Sequence, residues 1–177
     1  MAKVISFTLD AKSVASAIRE LEKYKTEFLN NMKRLQHLVA ERIRWTAETG
    51  FSTAMVGDYL FGQPDESKVT VEMQDDGDVT VVFANGDQAV FIEFGAGVYH
   101  NGPVGSQPHP WERSEPEYQG FAIGTYGKGH GRQRAWGYKA LNGSLVVTRG
   151  TPAAMPMYHG YAEAIAVLDD LVKEVFG

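Results

Sequence analysis

The sequence contains no cysteine among its 177 residues, so disulfide bonds, thiolate zinc sites and cysteine nucleophiles are excluded. No apolar run approaches the ~18 residues of a membrane-spanning helix. The first residues also lack the apolar segment of a secretory signal, so we expect synthesis and residence in the cytoplasm. Positive charge is not in excess either. The net charge of −5 argues against a surface made mainly to bind nucleic acid.

The composition that remains is that of an ordinary globular protein, with 44% hydrophobic and 22% charged residues. The length suits one domain over residues 1–177, and the patterning predicts the α+β class. In chain order we predict a helical segment over 10–50, a β-meander over 68–94, a long loop over 95–135, a hairpin over 136–149 and a helix over 156–176. The meander and the hairpin are expected to form one sheet, with the C-terminal helix packed on it.

The N-terminal segment has the periodicity of one long amphipathic helix. Asp10 is placed to cap it, and Gly50 is placed to end it. Unbroken from Lys12 to Thr49, the helix would be roughly 55 Å long at ~1.5 Å per residue. Either it breaks near Asn30-Asn31, or part of its apolar face packs on another chain. The apolar face of this helix consists of Val14, Ile18, Leu21, Phe28, Met32, Leu35, Val39 and Ile43.

Glycine-containing turns divide the middle of the chain into strands. Asp76-Gly77 and Asn85-Gly86 separate three alternating segments, the last of which is Ala89–Phe94. Asn142-Gly143 predicts the turn of the later hairpin by the same reasoning. In the final helix the apolar face is expected to contain Tyr161, Ile165, Leu168, Val172 and Val175.

The loop from Gly95 to Ala135 is rich in glycine, proline, histidine and aromatic residues. Loops of this length are usually functional or disordered. Because its aromatic side chains are costly to leave in water, we expect the loop to order against a surface. These side chains are Tyr99, Trp111, Tyr118, Phe121 and Tyr126.

Three loop histidines and one carboxylate are the obvious candidates for a metal or hydrolytic site: His100, His109, His130 and Glu93. Their spacing through glycine-rich chain does not fix a coordination geometry. The alternative is that the histidines bind loop backbone or a partner. Glu93 would then be a half-buried carboxylate, on the same strand face as Phe91, that holds the glycine turn. The stretch 127–132 resembles a phosphate-binding loop only weakly, because no Ser or Thr follows Lys128.

Two oppositely charged patches are present in the sequence. A subunit with both patches could assemble head to tail, although each patch could equally be a solvated face. If the basic patch contacts DNA instead, Arg132 and Arg134 are the residues expected to do so. The basic patch is Lys128, Arg132, Arg134 and Lys139, and the acidic patch is Asp65, Glu66, Glu72, Asp75, Asp76 and Asp78.

The order of these segments resembles the head–tail joining or tail-completion (neck) proteins of long-tailed bacteriophages and prophages. The resemblance lies in a Phe-Ile-Glu-Phe-Gly-Ala-Gly run over 91–97, the Gly/His-rich loop through 127–129, and Trp136-Gly137-Tyr138. It continues in the Gly-Thr-Pro-Ala-Ala-Met-Pro-Met run over 150–157, which precedes the C-terminal helix. These motifs are structural and carry no catalytic chemistry.

The resemblance implies an α+β subunit that forms a ring between the portal-connector complex and the tail tube. The expected partners are copies of the chain, a portal-connector or head-completion protein, the tail tube protein and passing DNA, with no membrane. It implies a virion protein assembled in the bacterial cytoplasm, with no enzymatic activity, cofactor or metal. A metal-dependent hydrolase and a DNA-contacting plug of the neck are the alternatives. The residues expected at interfaces are Glu93, Phe94, Gly95, Trp111, Lys128, Arg132, Arg134 and Trp136.

Overall fold

The computed structural model describes Thr8 and residues 10–96, 136–140 and 142–177, with the backbone alone at Trp136 and Tyr138. Long helices and short antiparallel strands alternate in this part of the chain, which confirms the α+β class. Its elements are α1 (Ala11–Thr53), β1 (Thr70–Asp76), β2 (Val79–Asn85), α2 (Ala89–Phe94), β3 (Trp136–Lys139), β4 (Leu145–Thr148), α3 (Pro156–Ala166) and α4 (Leu168–Phe176).

Helix α1 runs for 43 residues without a break, which is about 65 Å at ~1.5 Å per residue. Asp10 caps it as predicted, because its carboxylate accepts hydrogen bonds from the backbone N–H groups of Lys12 and Ser13 at 3.1 and 2.9 Å. The break considered at Asn30-Asn31 does not occur. In the described part of the chain, no helix combines the length and the apolar character needed to cross a membrane.

The predicted end of α1 at Gly50 is wrong, because the helix continues to Thr53. Gly50 serves close packing instead. A Cβ at this position would lie 2.9 Å from the Cβ of Pro156, at the start of α3. The glycine therefore marks a point where two segments approach closely, and its helical conformation is ordinary.

Both hairpins with glycine turns are confirmed. Strands β1 and β2 pair antiparallel around Gly77, which has φ 62°, and strands β3 and β4 pair around Gly143, which has φ 83°. Among the described residues they form two separate two-stranded sheets and not the single sheet that the sequence predicts.

The segment Ala89–Phe94 is a helix, α2, so the prediction of a third meander strand is wrong. The backbone N–H of Ile92 donates to the carbonyl of Gln88 at 3.0 Å. Ile92 and Glu93 are adjacent and both buried, whereas a strand would place them on opposite faces. Six residues are too few for periodicity to separate a buried helix from a strand, and tertiary contacts decide the conformation here.

The core lies between α1, the first hairpin and α2. Ala47 and Phe51 of α1, Val71 of β1 and Ile92 of α2 pack together with Val56 from the connection after α1. Phe51 and Ile92 are fully buried. Burying a side chain of this size contributes about 2–3 kcal/mol, so this cluster holds α2 against α1.

The C-terminal segment forms two helices that meet at Val167 and pack mainly against α1, whereas the sequence predicts packing on the sheet. Small residues make this contact possible, because a Cβ at Gly160 would lie 2.7 Å from the carbonyl oxygen of Ile43. The predicted apolar face is only partly correct. Val175 is buried, whereas Tyr161 and Ile165 are about half exposed, at 47% and 52%.

Candidate functional site

Two segments that are far apart in the sequence meet in one junction. The backbone N–H of Ala154 donates to the carbonyl of Ile92 at 2.8 Å, and the N–H of Ala96 donates to the carbonyl of Thr151 at 2.8 Å. These segments belong to the Glu-Phe-Gly run and the Thr-Pro-Ala-Ala-Met-Pro run that carry the resemblance. The structure therefore brings the described parts of these two motifs together.

Glu93 connects the two sides of this junction. Its side chain is buried, with the residue 4% exposed, and its two carboxylate oxygens accept hydrogen bonds from the backbone N–H groups of Met157 and Tyr158 at 2.8 and 3.1 Å. These N–H groups lie in the first turn of α3, where the helix offers them no internal partner. Met155, at the capping position, makes no side-chain capping bond. Glu93, which belongs to α2, thus caps the start of α3.

Gly95 fits this junction for two reasons. Its φ of 76° is one that residues with a side chain rarely adopt. A Cβ at Gly95 would also lie 3.2 Å from both the backbone nitrogen and the Cβ of Ala153. Phe94, between Glu93 and Gly95, is partly buried. Glu93, Phe94 and Gly95, which were all expected at interfaces, therefore form one local structure. Glu93 caps α3, and Gly95 allows the close approach to Ala153.

The other residues expected at interfaces lie mostly outside the described residues. Trp111, Lys128, Arg132 and Arg134 fall there, and for Trp136 only the backbone, at the start of β3, is described. Of the basic patch, Lys139 alone is described, and it is exposed at the end of β3.

The candidate metal site also lies largely outside the described residues, because His100, His109 and His130 fall there. The groups of His, Asp and Glu in the described ranges include no cluster of three or more that could hold a metal ion. Glu93, the fourth candidate, has both oxygens bonded to the backbone of α3. Its position therefore favours a structural role over coordination.

A cleft of about 400 Å³ lies beside the junction. Phe91 contributes an exposed aromatic ring, and Tyr59 donates its hydroxyl to the carboxylate of Asp65 at 2.6 Å. Among the described residues that line the cleft, Tyr59 alone has an ionisable side chain. This part of the lining is therefore better suited to contact with apolar groups than to acid–base catalysis. Its described lining consists of Val56, Gly57, Tyr59, Phe91, Ala96, Thr148, Gly150 and Thr151.

The acidic patch is exposed throughout, and most of it lies on the first hairpin. Asp75 accepts a hydrogen bond from the hydroxyl of Thr80 at 2.6 Å and lies 3.9 Å from Nδ1 of His37 on α1. Asp65 belongs to a different region, since it forms a β-bridge with Val56. The patch therefore consists of an acidic hairpin and a separate acidic residue pair, Asp65 and Glu66.

A series of exposed apolar side chains lies on the N-terminal half of α1. These large apolar side chains recur at steps of three or four residues, so they share one side of the helix. We call them the apolar stripe: Ile18, Leu21, Tyr24, Phe28, Leu29 and Met32, which are 51%, 55%, 52%, 44%, 49% and 44% exposed. Apolar surface of this extent on one helix is typical of an interaction site.

Two features that position these surfaces were not predicted from the sequence. Gly160 allows α3 to approach α1, and Glu163 receives hydrogen bonds from Thr46 at 2.8 Å and Arg42 at 3.4 Å. The small residues Gly160 and Ala164, spaced four apart, were the available signal for a close helix crossing.

Comparison of the chain with protein-family models, curated proteins and solved structures found no match.

Proposed function

We propose that this chain is a structural assembly protein of the neck or tail of a long-tailed bacteriophage or prophage. In this role it joins or completes the tail at the head–tail interface, as a subunit of a homo-oligomeric ring. Its partners are copies of itself, a portal-connector or head-completion protein and the tail tube protein. Its place is the virion, and it performs no catalysis.

The observation that carries the proposal is the apolar stripe of α1. Its six large side chains are each between 44% and 55% exposed, which is costly for a helix that remains in water. Such a surface is typical of a subunit that its neighbours complete. An assembly protein needs this surface, whereas a hydrolase that acts as a monomer has no use for it.

The junction between α2 and α3 supports the same proposal. The two motifs that resemble the neck family are joined there by backbone hydrogen bonds and by the Glu93 cap. Their residue types are those that building this junction requires: a buried carboxylate at a helix start and a glycine with positive φ. The motifs therefore specify a scaffold, as expected for a structural protein.

Deletion of the gene from the phage or prophage tests the proposal. In an induced lysate, negative-stain microscopy is expected to show DNA-filled heads separated from tails. Tail length then distinguishes tail completion from head–tail joining. Normal, infectious particles in the lysate of the deletion strain would overturn the proposal.

Complementation links the phenotype to the apolar stripe. A plasmid copy with Leu21→Glu is expected to fail, because a charge would lie in the middle of the stripe. Thr26→Glu provides the matched control, since Thr26 is exposed and lies on the side of α1 away from Leu21, Tyr24 and Phe28. Both variants are expected to keep the wild-type circular dichroism spectrum. Equal plaque titres from the two variants would contradict a role for the stripe.

A further inference from the structure

The first hairpin has apolar side chains on both of its faces. On the inner face, Val71 of β1 and Val82 of β2 pack in the core beside α1. The alternate residues of β2 project to the other side of the hairpin. These are Val79, Val81 and Phe83, which are 57%, 47% and 36% exposed. Solvated positions of an antiparallel sheet are usually polar, so a row of three apolar side chains indicates a contact surface.

Two carboxylates lie on the same side of the hairpin as this row. In the β1–β2 register Glu72 is the partner of Phe83, and Asp76 is the partner of Val79. Directly opposed residues of an antiparallel pair project to the same face. Both carboxylates are exposed, and neither forms an ion pair within the described chain. We call this surface the outer hairpin face: Glu72, Asp76, Val79, Val81 and Phe83.

The apolar stripe of α1 contains a charge of the opposite sign. Lys25 lies four residues after Leu21 and three before Phe28, so its side chain is on the same side of the helix. It is exposed and forms no ion pair within the part of the chain that the structure describes. The nearby glutamates lie at the margins of the stripe, because each is one turn from only one of its members: Glu20, Glu22 and Glu27.

These two surfaces cannot cover each other within one copy. The outer hairpin face is turned away from α1, because the inner face packs on that helix. Helix α1 runs unbroken over Ala11–Thr53, so its N-terminal half does not fold back over the hairpin. Contact between the two surfaces therefore requires two copies, each of which contributes a different surface. A heterologous contact of this kind can close into a ring.

The two surfaces also match in length. The stripe from Ile18 to Met32 is about 21 Å long at ~1.5 Å per residue. A seven-residue strand such as β1 or β2 spans about 20 Å at ~3.4 Å per residue. A helix that packs on the face of a sheet is a standard layer arrangement. The hairpin would then be covered by a helix on both faces, one from its own copy and one from the next.

Pairing of two stripes is the alternative that uses the same helix. It would bring the Lys25 side chains of both copies into one contact and leave the outer hairpin face uncovered. It would also join copies only in twos, because each stripe is used up by one partner. A ring of three or more copies requires two different surfaces on each copy. Docking of the stripe on the hairpin meets this requirement.

We infer that the apolar stripe of one copy docks on the outer hairpin face of the next copy, with Lys25 beside the carboxylates of Glu72 and Asp76. The inference rests on the proposed function for the existence of a homo-oligomer. The purified chain tests the docking, whereas the deletion lysate tests the role in the neck, so the two can fail separately.

Because the chain has no cysteine, introduced cysteines report on this contact. We expect a chain with both Leu21→Cys and Val81→Cys, treated with a short bis-maleimide at micromolar concentration, to give a ladder of multimers on denaturing electrophoresis. Each single variant is expected to stay monomeric, because its cysteine faces a surface of the next copy that has none.

Asn30→Cys combined with Val81→Cys is the matched control. Asn30 is exposed and lies nine residues from Leu21, which is about 2.5 turns and therefore the opposite side of α1. This variant is expected to give at least tenfold less multimer. Tyr24→Cys with Val79→Cys repeats the test at a second pair of exposed positions, so that a folding defect at one position does not decide the result.

The outcomes separate the alternatives. A dimer formed by Leu21→Cys alone would establish pairing of two stripes and overturn the inference. Equal multimer yield from the Asn30→Cys control would reveal non-specific encounter and overturn it as well. Double variants that stay monomeric at both pairs of positions would overturn it too, and the two surfaces would then belong to different partners.

A charge exchange tests the same contact without cysteine. Lys25→Glu is expected to weaken self-association roughly fivefold, measured by sedimentation of the full chain, because a third carboxylate would join Glu72 and Asp76. Changing both of these residues to lysine in the same chain is expected to restore association. Unchanged association of Lys25→Glu, or no recovery in the triple variant, would contradict the inference.

Discussion

The carboxylate of Glu93 accepts a hydrogen bond from the backbone N–H of Met157 at 2.8 Å, although 64 residues separate them in the sequence. The neighbouring N–H of Tyr158 donates to the same carboxylate at 3.1 Å. A buried negative charge thus lies at the positive end of α3, where the helix macrodipole favours it. Through this contact α2, which is only six residues long, fixes where the C-terminal helices begin.

Glu93→Gln is expected to lower the free energy of unfolding by about 2 kcal/mol. The amide has one acceptor oxygen and no charge, so both N–H groups of the α3 first turn lose a charged partner and one of them also loses its acceptor. Urea denaturation followed by circular dichroism measures the change. Glu48→Gln is the matched control, since Glu48 is exposed and pairs with Arg44 at 2.9 Å on the surface of α1. Its effect is expected to stay below about 0.5 kcal/mol, and equal losses would refute the capping role.

The features that sequence alone predicted correctly are local ones. The Asp10 cap depends on N–H groups two and three residues away, and the turns at Gly77 and Gly143 depend on the conformation of single residues. Propensity and spacing contain this information. The expectation that part of the long α1 helix packs on another chain also comes from its own periodicity, and it stays a prediction.

The features that sequence did not predict depend on contacts between distant segments. Ala89–Phe94 alternates like a strand, yet it is helical because Ile92 and Glu93 are both buried, one against α1 and the other at the start of α3. In the sequence, Gly160 cannot be distinguished from other helical glycines. Its role is visible only from its contact with Ile43 in the structure. Spacing along one segment cannot identify a partner many residues away, so these roles required the structure.

If α2 is a helix, Ile92 and Val90 should contribute differently to stability, whereas in a strand their contributions would be similar. Ile92 is fully buried, whereas Val90 is 39% exposed, although alternation would place both on one strand face. We expect Ile92→Ala to cost about 3 kcal/mol, because it leaves a cavity in the core. Val90→Ala is expected to cost less than about 1 kcal/mol. Chemical denaturation of both variants measures the difference, and similar losses would support the strand instead.

The Asp10 cap is expected to weaken in acid. The hydroxyl of Thr8 and then the backbone N–H of Ser13 donate to the Asp10 carboxylate and lower its pKa from the usual 3.8. A group with a lowered folded pKa stabilises the helix above its unfolded pKa, and this contribution is lost as the pH falls through the folded value. NMR shifts of Ala11–Ser13 should therefore move toward coil between about pH 5 and pH 2.

Asp10→Asn separates the loss of this cap from general acid unfolding. Asparagine caps helices about as well as aspartate but does not titrate. The Asn variant should therefore keep the helical shifts of Ala11–Ser13 over the range in which the wild-type shifts change. If both proteins change alike, ionisation of Asp10 does not control the start of α1.

Gly160→Ala reverses the usual effect of a glycine-to-alanine change in a helix. On propensity alone the substitution would stabilise α3 by about 1 kcal/mol. Here the new Cβ would lie 2.7 Å from the carbonyl oxygen of Ile43, an atom of the α1 backbone that cannot rotate away. The two helices must separate, which also lengthens the hydrogen bond of 2.8 Å between Thr46 and Glu163. We therefore expect a net loss of about 2 kcal/mol by thermal and urea denaturation.

Ala162→Ser adds one atom at an exposed position of the same helix and should change stability by less than about 0.5 kcal/mol. A Gly160→Ala variant more stable than wild type would show that α3 does not approach α1 this closely.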